Sequence, residues 1–142
     1  MCKHISVLLP NRPGEMWGVA DVLAQSGINI LGYQLTSHGN SGSLHILCSD
    51  HDAAYVALFQ KYGYYCNQSE VLICTAAHEP GEIRKILEVF SEASLNVESS
   101  YQAATSAGDV IVVFELVNRE NTKAAENVLL DAGISVLKEQ PS

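Results

Sequence analysis

The sequence has little positive charge and no long apolar run. Its eight Lys and Arg residues are scattered, with only Arg84 and Lys85 adjacent, against sixteen Asp and Glu, which gives a formal net charge of −8. Nucleic acid and anionic membranes need clustered cations, so we expect neither as a partner. No stretch approaches the roughly 18 apolar residues of a membrane-spanning helix. The residues from Met1 to His4 lead into a strand-like run rather than a signal peptide, so we expect a cytoplasmic protein.

Chemical motifs are also scarce. The cysteines have no CxxC spacing, and most lie in apolar strand-like segments, so we expect buried free thiols rather than a disulfide framework. No glycine-rich phosphate loop and no Gly-x-Ser-x-Gly elbow is present. We therefore expect no catalytic residue and no cofactor. The cysteines are Cys2, Cys48, Cys66 and Cys74.

One segment, HILCSDHD at residues 45–52, suggests a metal site because His45, Cys48, His51 and Asp52 lie close in sequence. On a strand, however, His45 and Cys48 point to opposite faces. The other two fall at the start of a helix, where an acidic residue is favoured for its own reasons. We therefore expect no metal at this segment.

What the sequence does contain is one turn, twice. NRPGEM at residues 11–16 follows the run HISVLLP, and HEPGEI at residues 78–83 follows VLICTAA, at an offset of 67 (80 − 13). The same offset aligns two apolar stripes with the i, i+3, i+4, i+7 spacing of a buried helix face. The stripes are Met16, Val19, Ala20 and Leu23, and Ile83, Ile86, Leu87 and Phe90.

A second helix is repeated at an offset of 70 (133 − 63). Gly63 and Gly133 align there, each where a left-handed cap would end the helix. Asp50 and Asn121 precede the two helices as expected N-caps. The predicted buried stripes are Tyr55, Leu58, Phe59 and Tyr62, and Ala125, Val128, Leu129 and Ala132.

The chain therefore reads as a tandem duplication, with units at residues 1–68 and 69–142. Each half predicts strand, helix, strand, strand, helix, strand, which is the ferredoxin-like α+β arrangement with an antiparallel sheet and both helices on one face. No flexible linker separates the halves, so we expect them to pack rigidly. The predicted ranges are 4–10, 14–26, 28–37, 43–49, 52–62 and 64–67, then 70–77, 81–93, 95–104, 109–117, 121–132 and 134–139.

The run from Val110 to Phe114 is apolar on both faces of its strand. Helices cover only one face of a ferredoxin-like sheet. We expect the other half, or a second copy of the chain, to cover the second face.

A strand, Asn-x-Pro-Gly and a helix with an apolar second residue, inside a βαββαβ unit, resembles the ACT domain. This family of small regulatory modules binds amino acids. The resemblance covers nearly the whole chain as two ACT units. The first turn matches the family's loop, whereas the second keeps Pro-Gly but has His78 where Asn or Asp is usual.

The turn has a physical reason to bind an amino acid. Pro13 is expected to set φ for the helix start, and Gly14 to let a ligand approach the backbone. The amides of Gly14, Glu15 and Met16 have no acceptor within the helix and can receive a carboxylate. Asn11 can accept a hydrogen bond from an ammonium group.

The resemblance implies that a neighbouring domain's second strand forms the wall of each site. Trp17 lies off the core stripe, so we expect it half-buried at an interface rather than in the site. The candidate ligand-binding residues are Asn11, Arg12, Pro13, Gly14, Glu15, Met16, His78, Pro80, Gly81, Glu82 and Ile83, with the walls Gly32, Tyr33, Gln34, Ser99, Ser100 and Tyr101.

The resemblance predicts a non-catalytic regulatory protein that senses a free amino acid at domain interfaces. A homodimer is expected, and an enzyme of amino-acid metabolism is a possible partner by analogy with the family. The alternative is an interaction module that dimerises through its sheets and whose ligand loops are vestigial.

Overall fold

The chain forms the four helices that the duplication predicts and six of its eight predicted strands. The computed structural model describes residues Met1–Ser142. The elements are β1 (Cys2–Pro10), α1 (Glu15–Gln25), β2 (Ile30–His38), β3 (Ser41–Cys48), α2 (His51–Tyr55) continued by a π-helical segment (Val56–Lys61), β4 (Cys66–Thr75), α3 (Glu82–Glu92), β5 (Val97–Ala104), β6 (Val110–Leu116), a 3-10 turn (Arg119–Asn121) and α4 (Thr122–Asp131).

The chain forms two units, each with its own core. The N-unit comprises Lys3–Ser69, and the C-unit comprises Glu70–Pro141 together with Met1 and Cys2. In the N-unit, β3 pairs antiparallel with both β1 and β2. In the C-unit, β6 pairs antiparallel with both β4 and β5. Each unit is thus a ferredoxin-like antiparallel sheet with helices on one face, which confirms the predicted fold class.

Each core lies between one sheet face and the two helices of its unit. In the N-unit, alternate residues of β1 meet buried residues of α1 and α2, and in the C-unit Phe90 of α3 packs edge-on against Phe114 of β6 at 4.8 Å. Burying such a side chain contributes about 1.5–3 kcal/mol. The N-unit core includes Ile5, Val7, Leu9, Val19, Leu23, Leu44, Ile46, Ala54 and Leu58.

Strand β6 is buried on both faces, as its apolar run predicts. Val112 and Phe114 belong to the helix-facing core of the C-unit. Ile111 and Val113 point to the second face and are equally buried. That the other half of the chain or a second copy covers this second face stays a prediction.

The second helix of the N-unit contains one residue more than its counterpart. Leu58 and Leu129, both fully buried, align at an offset of 71 (129 − 58), whereas Gly63 and Gly133 align at 70. The bond that closes the helix spans six residues from Tyr64 N–H to Leu58, but only five from Ile134 N–H to Leu129. The π-helical segment Val56–Lys61 absorbs the additional residue.

This insertion makes part of the predicted second stripe wrong. An offset of 70 is correct for the capping glycines, whose φ values are +74° and +83°, but not for the core residues. The side chains predicted to be buried but found exposed are Phe59, Tyr62, Val128 and Ala132, and Tyr55 is half-buried.

Two strand predictions also differ from the structure. The predicted strands 64–67 and 70–77 form the single strand β4. The predicted strand 134–139 is reduced to one bridge between Val136 and Cys74, flanked by hydrogen bonds at Ser135 and Leu137. The three residues after Leu137 are Lys138, Glu139 and Gln140, whose polar side chains do not favour continued pairing in a strand.

The thiols are free, and three of them are buried. Burial raises the pKa of Cys48 and of Cys74 to about 12, and that of Cys2 to about 11. Cys66 is half-buried. Deeply buried thiols with raised pKa values are poor nucleophiles, which agrees with a structural role.

The two predicted N-caps behave differently. The Asp50 carboxylate accepts a hydrogen bond from Ala53 N–H at 3.0 Å, which confirms the first. Asn121 makes no side-chain cap, since the 3-10 turn precedes α4 and the Thr122 hydroxyl donates to the Arg119 carbonyl at 2.7 Å. Asn121 therefore occupies the predicted N-cap position, but its side chain does not cap the helix.

We expect Asp50→Ala to lower the free energy of unfolding by about 1 kcal/mol, because an orphan helix amide loses its acceptor. Asn121→Ala is the matched control and should change it far less. Urea titrations of both variants measure the difference. Equal losses would contradict the assignment of the cap to Asp50.

The first helix of each unit ends in a left-handed residue. Gly27 has a φ of +71°, and its equivalent Ser94 has a φ of +56°. The closing bonds match, from Ile28 N–H to Leu23 at 2.9 Å and from Leu95 N–H to Phe90 at 2.8 Å. Ser94 therefore holds a conformation that a side chain disfavours.

Ser94→Gly should stabilise the protein by about 0.5–1 kcal/mol, because relief of this strain exceeds the added freedom of the unfolded chain. The reverse exchange in the N-unit, Gly27→Ser, should destabilise it by a similar amount. Thermal and urea unfolding of the two variants should give opposite signs, and the same sign for both would refute this explanation.

Candidate functional site

The two strand-to-helix turns have the same backbone. Gly14 has φ +86° and ψ −10°, and Gly81 has φ +87° and ψ −7°. Each glycine is the N-cap of its helix and lies in the left-handed region, so glycine is required by the conformation itself. Pro13 therefore precedes the N-cap instead of forming the first helical residue, which corrects its predicted role.

The hydrogen bonds within the turns also match. Glu15 N–H donates to the Arg12 carbonyl, and Glu82 N–H to the Glu79 carbonyl, both at 3.4 Å. The Glu15 amide thus already has an acceptor within the chain. It is therefore less available to a ligand carboxylate than the sequence predicts. The amides of Gly14 and Met16 in the first turn, and those of Gly81 and Ile83 in the second, have no carbonyl acceptor.

Acidic residues occupy the first turn of both helices. The Arg12 guanidinium donates to the Glu15 carboxylate at 2.8 Å, and the Lys85 ammonium to the Glu82 carboxylate at 3.1 Å. Both cations are exposed, so each pair contributes at most about 1 kcal/mol. The pairs reduce the negative charge that a ligand carboxylate would meet.

The turns differ in how they are held. Asn11 Nδ2 donates to the Gly39 carbonyl, and Asn11 N–H donates to the Asn40 carbonyl, both at 2.9 Å. The β2–β3 hairpin therefore fastens the first turn and uses the Asn11 amide nitrogen. His78, at the equivalent place, is exposed and lines an open cleft.

That cleft lies beside the second turn and has a volume of about 360 Å³. It is lined by residues of the turn, by Ile83 of α3 and by residues of β5 and β6. Its lining residues are Ala76, Ala77, His78, Glu79, Pro80, Ile83, Gln102, Val110 and Val112.

A groove between the first helix and the neighbouring strands is present in both units. In the N-unit it has a volume of about 390 Å³ and includes Met16 and Tyr33, but no residue before the helix. In the C-unit it has a volume of about 360 Å³ and shares Ile83, Gln102 and Val112 with the cleft. In each predicted helix stripe, two of the four residues are not fully buried and line a groove. They are Met16 and Ala20 in α1, and Ile83 and Leu87 in α3.

The predicted wall residues do not act as a group. Tyr33 lines the N-unit groove, and Ser100 and Tyr101 line that of the C-unit. Ser99 points the other way and donates to the Glu115 carboxylate at 3.2 Å. Gln34 lies on the opposite face from Tyr33. Gly32 and Ser99 each follow a register shift in their strand.

Gly18 and Trp17 have separate explanations. A Cβ on Gly18 would lie 2.8 Å from the Tyr64 hydroxyl, so the glycine makes room for that ring. Burial, with smaller effects of Glu15 and Asp21, raises the pKa of Tyr64. Trp17 is 71% exposed in the single chain, and its burial at an interface stays a prediction.

The residues that suggested a metal site have different structural roles. His45 stacks on His4 with ring centroids 5.2 Å apart, while Cys48 lies in the helix-facing core. His51 Nδ1 shares a hydrogen bond with the Gln68 side chain. They do not converge on one point.

Sequence reasoning missed the cleft-lining residues on the strands. Ala76, Gln102, Val110 and Val112 carry no motif. A signal was nevertheless available, because the offset of 67 aligns Ala76 with Leu9 and Gln102 with Leu35. Both exchanges replace a large apolar side chain by a smaller or polar one.

We expect Asn11→Ala to lower the free energy of unfolding by about 0.5 kcal/mol, because an exposed hydrogen bond to the hairpin is lost. His78→Ala removes no such hydrogen bond and should lower the free energy of unfolding by less. Urea unfolding distinguishes the two, and a larger loss for His78→Ala would contradict the described difference between the turns.

Comparisons with known proteins identify the family. Residues 1–141 match the family described as an ACT domain pair. Protein BT0572 from Bacteroides thetaiotaomicron is similar in structure, with 26% identity, a TM-score of 0.83 and coverage of 96% of this chain and 91% of that chain. No curated protein matches the sequence.

Two more distant structures show the same fold. They are regulatory subunits of aspartate kinase, from Thermus thermophilus (19% identity, TM-score 0.62, 92% of each chain) and Thermus flavus (18% identity, TM-score 0.52, 94% of each chain). None of the helices of the present chain combines the length and apolarity needed to cross a membrane. With the family match over almost its full length, the chain belongs to the ACT domain family as a pair of ACT domains in one polypeptide.

Proposed function

We propose that this ACT domain pair is a non-catalytic regulatory protein of the cytoplasm that binds a free amino acid beside its strand-to-helix turns. The observation that carries the proposal is the cleft of about 360 Å³ at the second turn. Small-molecule sites span roughly 300–1,000 Å³, so this volume suits a ligand of the size of one amino acid.

The groups around the cleft suit the two charged ends of an amino acid. The amides of Gly81 and Ile83, at the start of the 11-residue helix α3, can donate to a carboxylate at the positive end of the helix dipole. The Glu79 carboxylate can accept hydrogen bonds from an ammonium group. His78 stands where the first turn has Asn11, and its ring can serve as a second polar contact.

The other predicted ligand-binding residues have weaker support. The first turn offers the same backbone, but no residue before α1 lines the N-unit groove. The bond from Asn11 to the hairpin uses Nδ2 and not the oxygen that would accept from an ammonium group. Tyr33 and Ser100 line grooves beside the first helix of their own units, where they could meet a ligand or a neighbouring domain.

Binding would become a signal if the ligand favoured one packing arrangement of the domains. Such a ligand shifts the population of that arrangement, and a partner that senses it is coupled to the ligand. We propose a homodimer and an enzyme of amino-acid metabolism as the partners. Two structures with the same fold are regulatory subunits of aspartate kinase, which supports a regulatory role.

A second function, assembly without a ligand, is favoured by one observation. Within their units, β2 and β5 each pair on one side only, with β3 and β6 respectively. Tyr33 and Leu35 on β2 are exposed and apolar. Such edges can pair with another chain.

Thermal unfolding with each of the twenty amino acids tests the proposal. A ligand at about 100 times its dissociation constant stabilises the native state by roughly 2.7 kcal/mol, which raises the midpoint by several degrees. The methyl ester and the N-acetyl form of any ligand are the matched controls, and both should bind more weakly because one charged end is blocked. No shift with any amino acid at high millimolar concentration would favour the assembly module.

A further inference from the structure

The corner of the sheet beside each turn is built from equivalent residues. In the N-unit, Leu35 of β2 pairs with Leu44 of β3, and Leu9 of β1 pairs with Gly42. In the C-unit, Gln102 pairs with Val112, and Ala76 N–H reaches the Val110 carbonyl at 3.5 Å. The duplication therefore allows the two corners to be compared residue by residue.

In the N-unit, side chains fill this corner. Leu9 is buried within the core. The Cδ1 atom of Leu35 lies 3.4 Å from the point where a Cβ on Gly42 would be, so the Leu35 side chain lies over the glycine. The two hydrogen bonds from Asn11 to the hairpin then hold the turn against this corner.

In the C-unit, the same corner is open. Ala76 takes the place of Leu9 and has three fewer side-chain carbons. Val110 stands where the N-unit has Gly42 and adds three, but it is exposed and lines the cleft instead of covering it. Gln102 takes the place of Leu35 and is exposed to solvent along the rim. The result is the cleft at the second turn.

We propose that the polypeptide binds one amino acid per chain, in the C-unit cleft, and that this ligand has an uncharged aliphatic side chain. The inference rests on the proposed function for the binding of an amino acid at all. It adds that the N-unit copy does not bind, and it names the class of side chain.

The residues that line the cleft indicate which class of ligand side chain it accepts. Apolar side chains of the turn, of α3 and of β6 supply most of it, including Pro80, Ile83, Val110 and Val112. A charged ligand side chain placed against them would lose hydration without gaining a partner. The polar groups of the turn are the ones that the amino and carboxyl ends of the ligand require.

Isothermal titration calorimetry and a matched pair of variants test this inference. L-valine, L-leucine, L-isoleucine and L-methionine are compared with L-aspartate and L-lysine as probes. We expect at least one aliphatic probe to bind with a stoichiometry of one per chain, and tenfold or more tighter than either charged probe.

The variants exchange the equivalent residues. Gln102→Leu, at an exposed position, should weaken binding at least tenfold because a branched apolar side chain closes the corner as Leu35 does. Leu35→Gln is the reverse exchange on the other edge strand and should leave affinity and stoichiometry unchanged. Circular dichroism confirms that both variants are folded, and NMR chemical-shift changes should cluster at residues 76–83 and 102–112.

Each contrary result has a distinct meaning. A stoichiometry of two, a tighter fit to a charged probe, or equal losses for both variants would overturn the inference and leave amino-acid binding intact. Shift changes centred on residues 9–16 would do the same. Failure of all twenty amino acids to bind would overturn the proposed function and this inference together.

Discussion

Each unit depends on one glycine in the left-handed region, placed between its first strand and its first helix. At a φ of +86° or +87°, Gly14 and Gly81 reverse the chain within a few residues, so the following helix returns over the strand it has just left. The helix can then bury its apolar stripe against the sheet, and the core of the unit forms around that contact. The same turn leaves the first helix amides at the end of the sheet, where a ligand can reach them. One backbone constraint thus supports both the core and the candidate site.

The duplicated units keep this constraint and vary elsewhere. The N-unit accommodates one additional residue as a π-helical segment, which leaves Leu58 in the core and turns Phe59 and Tyr62 outward. The C-unit tolerates Ser94 in a conformation for which the N-unit has Gly27. Local departures of this size cost little beside the burial of each core, so a tandem fold can absorb them without loss of its architecture.

Under the proposed function, divergence at the turns has consequences for regulation. Two identical sites would both bind the ligand. One open corner and one filled corner instead make the two units unequal. In the N-unit, packed side chains and hydrogen bonds to the hairpin fill the corner where a ligand would otherwise fit. The open corner retains a cleft whose walls are apolar and whose polar groups lie at the turn. Coupling between such a cleft and domain packing is the physical basis of an allosteric signal.

The sequence by itself determined the duplication, the order of the elements, the fold class and the places of both turns, because apolar periodicity and Pro-Gly turns are local signals. It also determined the Asp50 cap and the glycine caps at Gly63 and Gly133. Only the tertiary structure decided which half of each helix stripe enters the core, since that depends on the neighbouring strand. It also decided that Leu35 covers Gly42 while Gln102 borders a cleft. These outcomes depend on side chains that are distant in sequence and adjacent in space, and no local pattern encodes such contacts.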